Sequence, residues 1–221
     1  MSKLKILLAL LIISSSYLFP EKLSYFCRYT SDKKVLDNQR ITVDKNAYNV
    51  EIDIFLNGSL TYRSSYDAEL NQLSALHYSS KNAPILNVNF DNVAMKMNVL
   101  NRKSFDIEKF TLVNNPTIFY IFQEKYPKTV GDKIIMYLYQ TDQNIIYQIY
   151  VKNLGIETIS LDNQTIDTIK VEMGLTGFPG ILWPFKYHYW FNKDSNMFVK
   201  YTGTNTELKT DTIEVNRYII E

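Results

Sequence analysis

Two histidines, one cysteine and a scatter of carboxylates are all that the 221 residues offer for acid–base, nucleophilic or metal chemistry. His77, in Ala75-Leu76-His77-Tyr78, has no serine-hydrolase context, and no G-x-S-x-G motif occurs. His188 shares strand parity with Lys186 and Trp190, opposite Phe185, Tyr187, Tyr189 and Phe191. That places it on a surface or ligand-facing side of a strand rather than beside a nucleophile. Glu51 and Asp53 share one strand face, and paired carboxylates can hydrolyse glycosides. Acids alternating along a strand are more simply its solvated side. Asp142, Asp162 and Asp194 fall in turns, where Asp caps the backbone locally, and their spacing is unlike a calcium loop. Phosphate-loop and dinucleotide fingerprints are absent. No catalytic residue, metal ligand or cofactor is therefore expected, and a hydrolase using His188 or a carboxylate pair ranks third among the readings of function.

The segment richest in unusual residues is Phe178-Pro179-Gly180-Ile181-Leu182-Trp183-Pro184-Phe185, followed by Tyr187, Tyr189 and Trp190. It holds both tryptophans of the chain. Such a loop either caps one end of a sheet as plain core or forms the lip of an apolar cavity, because a curved sheet admits a hydrophobic ligand where a Gly/Pro loop carries large apolar side chains. Pro184 cannot donate a ladder hydrogen bond, so the strand begins after it and leaves Trp183 at the mouth. The candidate ligand-binding residues are Phe178, Trp183, Phe185, Tyr187 and Tyr189.

The elements that must position these residues are strands. Short alternating runs rich in Ile, Val, Tyr and Phe are separated by Asn/Asp turns, the pattern of an antiparallel sheet. Val50, Ile52, Ile54 and Leu56 alternate up to Asn57-Gly58, a hairpin signal because both residues tolerate positive φ. A three-residue loop, Asn57-Gly58-Ser59, would set Leu56 opposite Leu60 and Ile54 opposite Tyr62, matching apolar faces with the help of a bulge. Asn115-Pro116 then opens a helix over 116–125, amphipathic and laid against the sheet, with Pro127 as its stop. Strands are expected at 133–140, 144–152, 156–161 and 165–173, turned at Asp142-Gln143, Asn153-Leu154-Gly155 and Asp162-Asn163. A loop from Gly174 to Pro184 and strands 185–192, 197–203 and 210–220 complete the chain. Strand 133–140 is apolar on both faces, so both should be covered.

At the N-terminus, Lys3 and Lys5 precede the apolar run Ile6 to Ile13 and the small residues Ser14 to Ser16, the three parts of a secretory signal. Residues 1–20 are read as a signal peptide, cleaved near Ser16 or kept as an anchor, and residues 21–221 as a single antiparallel β domain. Cys27 follows the bulky Phe26, which argues against lipid attachment, and a single cysteine in an exported chain is most simply a small hydrophobe in the first strand. The formal charge is +1. Losing Lys3 and Lys5 with the leader turns it to −1, which leaves no footprint for nucleic acid and no pull toward acidic membranes. Hydrophobic residues make up 46% and charged ones 21%, which excludes a disordered or coiled-coil chain.

The C-terminal half carries a resemblance. Gly155-Ile156-Glu157-Thr158-Ile159, then Asp162 to Val171, and Tyr189-Trp190-Phe191-Asn192-Lys193-Asp194-Ser195 with Phe198-Val199-Lys200-Tyr201 after it, resemble a family of exported bacterial proteins of unknown function. Such proteins are similar in architecture to the lipoprotein carriers LolA and LolB, whose curved antiparallel sheet wraps an apolar cavity. The resemblance spans roughly residues 115 to 221 and brings no catalytic residues with it.

The fold expected is all-β: a strongly curved, partly closed antiparallel sheet of about ten strands, a half-barrel of LolA/LolB-like or lipocalin-like form, with one short helix against its concave face. The function expected is non-enzymatic binding of a lipid or other hydrophobic ligand by an exported protein of the periplasm or cell envelope. The alternative is an interaction protein with a filled core that meets an envelope protein partner. Nucleic acid is not an expected partner.

Overall fold

The computed structural model describes residues 21–79, 83–100, 102, 104–161, 164–182, 185–204 and 208–221. The proposed leader, the Asp162-Asn163 turn, Trp183 and Pro184 lie outside the described residues. The chain begins with β1 (Glu21–Ser31), β2 (Lys34–Lys45), β3 (Asn49–Leu56), β4 (Ser59–Asp67) and β5 (Gln72–Tyr78). It continues through β6 (Pro84–Asp91), β7 (Lys96–Val99), β8 (Phe105–Asp106), β9 (Thr111–Val113) and helix α1 (Ile118–Lys125). After the helix come β10 (Lys133–Gln140), β11 (Ile145–Leu161), β12 (Gln164–Leu175), a short helix α2 (Gly177–Leu182), β13 (Tyr187–Asn192), β14 (Phe198–Thr204) and β15 (Thr210–Ile220).

All the described strands belong to one curved, unclosed sheet of fifteen strands, ordered β8 back to β1, then β15 back to β9. The number exceeds the expected ten or so because strands such as β2 and β4 face water on one side and carry Asn, Asp, Arg and Ser there, which hides their alternation. First and last strands pair with each other: Tyr25 sits opposite Tyr218, and Tyr29 opposite Ile213. Both edges of the sheet, β8 and β9, are neighbours in sequence, and the meander curls round until edge strand β9 lies against β5.

That seam is closed by side chains rather than by a backbone ladder. Gln72 on β5, fully buried, accepts a hydrogen bond from the Val113 amide of β9 at 2.7 Å through Oε1. Its Nε2 donates toward Ser64 Oγ (3.3 Å) and Tyr66 Oη (3.5 Å). Ser64 and Tyr66 in turn meet Thr117 Oγ1 at 3.0 and 2.9 Å, and Asn115 Nδ2 donates to Ser64 at 3.2 Å. One buried polar network thus ties the sheet edge to the start of α1. Beside it, Ala75, Val88, Met97, Val99, Ile107, Val113 and Tyr139 form a separate apolar cluster. Tyr139 is therefore covered on the face opposite Met136 and Leu138, which explains the doubly apolar pattern of β10, although Ile135 stays exposed.

α1 lies on the concave face, as expected, but it is not amphipathic. Ile118 through Gln123 are all buried, because the curved sheet wraps the helix on nearly every side. Phe119 packs on Tyr25 and Phe198, Phe122 meets Tyr189 edge-on at 5.0 Å, and Tyr126 stacks on Phe191 at 5.7 Å. The helix starts at Ile118 rather than at Pro116. Asn115 Oδ1 accepts from the Thr117 amide instead of capping an α-helical turn, so Pro116 sits in an Asx turn ahead of the helix.

Two turn expectations are corrected. Asn57 and Gly58 both take positive φ (48° and 83°) and close a two-residue turn, so Leu56 faces Ser59 and not Leu60. The bulge falls one pair further on, between Ile54 and Phe55, and it restores the Ile54–Tyr62 pairing. Asn153-Leu154-Gly155 is no turn at all. β11 runs through it as one strand of 17 residues with a bulge, where Asn153 Oδ1 accepts from the Gly155 amide and Nδ2 reaches the Pro127 carbonyl. Gly155 has a φ of 96°, which the bulge requires.

Candidate cavity site

Period-2 alternation sends Tyr25, Cys27 and Tyr29 of β1, Gln39 and Ile41 of β2, Tyr187, Tyr189 and Phe191 of β13, and Asp211 and Ile213 of β15 to the concave face. One end of the concave space is filled by the C-terminal half of α1. There Tyr126 donates to Asn196 Oδ1, and Asn196 Nδ2 donates to the Gln123 carbonyl. The other end is hollow. Two adjoining chambers of about 340 and about 590 Å³ share Asn114, Ile118, Tyr189, Tyr201 and Asp211 as common walls.

The smaller chamber lies between α1 and strands β1 to β4. Its walls include Ile41, Leu56, Phe119 and Phe198, with Tyr29, Tyr62 and Gln39 adding polar groups. The larger runs from Leu138 and Met173 to Leu175, Phe178 and Pro179, beside Gln140, Gln143 and Tyr147. Gly203 of β14 makes room for two of the lining tyrosines. A Cβ there would lie 2.2 Å from Tyr201 Oη and 2.5 Å from Tyr187 Cδ1, so the two tyrosine rings close over a position where only glycine leaves space.

Of the sequence candidates, Phe178, Tyr187 and Tyr189 line the larger chamber, and Tyr189 lines both. Phe178 sits in α2, 69% exposed, at the rim. Phe185 is half-buried and outside both linings, and Trp183 lies outside the described residues. The segment expected as an open loop instead carries β12 to Leu175 and then folds into α2. Sequence reading missed Tyr29, Tyr62, Tyr201 and Asp211, which converge from strands more than a hundred residues apart. The only signal for them was an inward parity that many strand residues share.

Trp190 belongs to the opposite face. In register across β12 to β15 and β1 run Lys170, Trp190, Lys200, Glu214 and Arg28. Lys170 Nζ lies 5.0 Å from the Trp190 ring centre, and Lys200 and Arg28 both reach Glu214, at 2.9 and 3.0 Å. His188 shares this outer face, 3.4 Å from Glu172. Burial first, then Lys170, lowers its pKa against the pull of Glu172. His77 stacks on Tyr62 at 4.3 Å, and burial lowers its pKa too. Asp53 is gripped by Arg63 at 2.7 and 2.6 Å, with Glu51 at 3.5 Å, which makes that pair an ion-paired outer surface. Cys27 is buried on the concave side, where desolvation pushes its thiol up to about 12 and leaves it unreactive at neutral pH.

With the cavity in view, comparison with solved structures becomes informative. The chain is similar in fold to a beta-barrel-like protein of Domain of Unknown Function DUF1849 from Brucella abortus. That similarity has a TM-score of 0.53 at 8% identity and covers 92% of this chain and 98% of the other. The hypothetical lipoprotein YmcC from Escherichia coli aligns over 98% of this chain and 96% of its own, with 9% identity and a TM-score of 0.35. Lipoprotein LppX from Mycobacterium tuberculosis has the same coverage, 12% identity and a TM-score of 0.27. No protein-family model matches the chain, and neither does any curated protein. An open, curved antiparallel sheet around an apolar hollow is the architecture that the resemblance to the exported family implied.

Proposed function

We propose that this is an exported protein of the cell envelope that binds a hydrophobic molecule, a lipid or acyl chain, without transforming it. The observation that carries the reading is the pair of adjoining apolar chambers beside the first turn of α1, each within the ~300–1,000 Å³ of ligand sites. Residues 1–20, with their lysines, apolar run and serines, support export. Residues 21–221 act as one β domain in this reading. Phe178, Tyr187 and Tyr189 contact the ligand body in this reading, and Trp183 and Phe185 are kept as further ligand-binding residues. The alternative of a filled-core interaction protein has the chambers against it. The non-enzymatic reading is supported by the separation of His77, His188 and Cys27, which lie on different strands with no nucleophile–base pair among them.

Native mass spectrometry of protein purified from its own envelope tests the proposal: a retained lipid appears as added mass. Replacing Trp183 by Ala is expected to weaken binding by about 1–3 kcal/mol while the protein stays folded. Bare polypeptide mass, with no uptake of a fluorescent hydrophobic probe, would return the cavity to the status of a packing void.

A further inference from the structure

The head group of the ligand can be read from the walls of the smaller chamber. Tyr29, Tyr62, Tyr189 and Tyr201 line it, and Asp211 is the one carboxylate among its described lining residues. The described linings of both chambers hold no lysine or arginine. Asp211 opens β15, opposite Ser31 of β1 and Gly203 of β14, and Ser31 Oγ donates to its Oδ1 at 2.6 Å. Its negative charge is felt by the tyrosines: burial first, then Asp211, pushes Tyr29 up to about 12, and burial, then Tyr187, then Asp211 raise Tyr201. Asp142, on the turn between β10 and β11, adds a second negative influence on Tyr62 after burial. Gln39, Asn114 and Asn115 add uncharged amides to the same wall.

Aromatic faces around a carboxylate attract a cation and repel an anion. A positive head over a tyrosine face gains from the ring quadrupole, the more so when desolvated, and a second carboxylate brought beside Asp211 would meet like charge in a medium of low dielectric. Resting on the binding reading above, we propose that the smaller chamber selects amphiphiles with an ammonium head, held by Asp211 and the surrounding tyrosines, while the acyl or alkyl body extends into the larger chamber. Free fatty acids are excluded by the same charge that favours amines.

The test compares three probes of equal chain length on the full-length protein, each below its micelle concentration: dodecyltrimethylammonium, dodecanol and dodecanoate. The ammonium probe is expected to bind about tenfold more tightly than dodecanol, and dodecanoate most weakly. Asp211→Asn should bring the ammonium advantage to within about threefold and leave dodecanol unchanged, whereas Asp211→Glu keeps it. If Asp211→Asn does not fold by circular dichroism, Tyr62→Leu should reduce the same advantage by about threefold. Dodecanoate binding as tightly as the ammonium probe, or a folded Asp211→Asn with the ratio intact, overturns the assignment. Dodecanol binding without an ammonium preference defeats the head-group inference alone. Failure of all three probes, with no retained mass in the native protein, defeats the binding reading as well.

Discussion

Replacing Gln72 by Leu removes the side chain that joins β5 to the edge strand β9 while keeping its volume nearly constant. Val113 lies on edge strand β9, whose other side is taken by the parallel pairing with β10, so its amide points into the seam and finds Gln72 Oε1 at 2.7 Å. With Leu in place, that amide is a buried donor without an acceptor, which costs about 1–3 kcal/mol. The bonds from Nε2 to Ser64 and Tyr66 are long, and both hydroxyls keep Thr117 as a partner, so their loss adds less. Burying Leu in place of an amide offsets part of this, and the net expected destabilisation is about 2 kcal/mol. At a urea slope of about 2 kcal/mol/M, the midpoint falls by about 1 M. Hydrogen exchange locates the effect: the Val113 amide should become among the fastest in β9, while the Tyr25 and Ile52 amides speed up only by the global loss of protection. An unchanged midpoint together with a still-protected Val113 amide would falsify the claim that side chains close this seam.

Gly203→Ala should destabilise by about 1–3 kcal/mol as the Tyr187 and Tyr201 rings are driven off the wall, and it should weaken uptake of a hydrophobic probe more than it lowers Tm. Acid should unfold the protein in two stages. His77 and His188 have lowered pKa values, so the unfolded chain binds protons first and stability falls as pH drops below about 6.5. Glu157, paired with Lys170, and Glu214, whose bonds to Lys200 and Arg28 outweigh its burial, are held below the usual carboxylate range, so a further loss follows below about 4.5. His188→Gln should flatten the upper stage of a pH titration of the urea midpoint. Cys27 should resist iodoacetamide at pH 8 in the native protein and react on unfolding, and rapid native labelling would contradict its burial.

Much of the local structure was legible because local rules decide it. Period-2 alternation identified β10 at Lys133–Gln140 and set Tyr187 and Tyr189 on one face, because a strand allows only two directions for a side chain. Asn57-Gly58 announced a hairpin, because few residue pairs accept positive φ twice, and Asn115-Pro116 announced a helix that begins two residues later, at Ile118. The same rules misread Asn153-Leu154-Gly155, since a Gly with positive φ serves a bulge as well as a turn. The difference lies in β12, which continues pairing on both sides of the bulge. Parity set Trp190 opposite Tyr187 and Tyr189, as the structure has it, but parity says which residues share a face and not whether that face is concave.

What joins Tyr29 and Tyr62 to Tyr201 and Asp211 is the pairing of β1 with β15 and the curl that brings β5 against β9. Neither contact leaves a mark in any short window, because the residues that make them are ordinary strand residues until the sheet closes. The sequence by itself determined the strand-rich class, the hairpin at Asn57-Gly58, the main helix to within two residues and which side chains of a strand share a face. The tertiary structure alone decided which face encloses the hollow and which tyrosines and carboxylate meet inside it, because sheet curvature is a sum over all the strand pairs and belongs to no single segment.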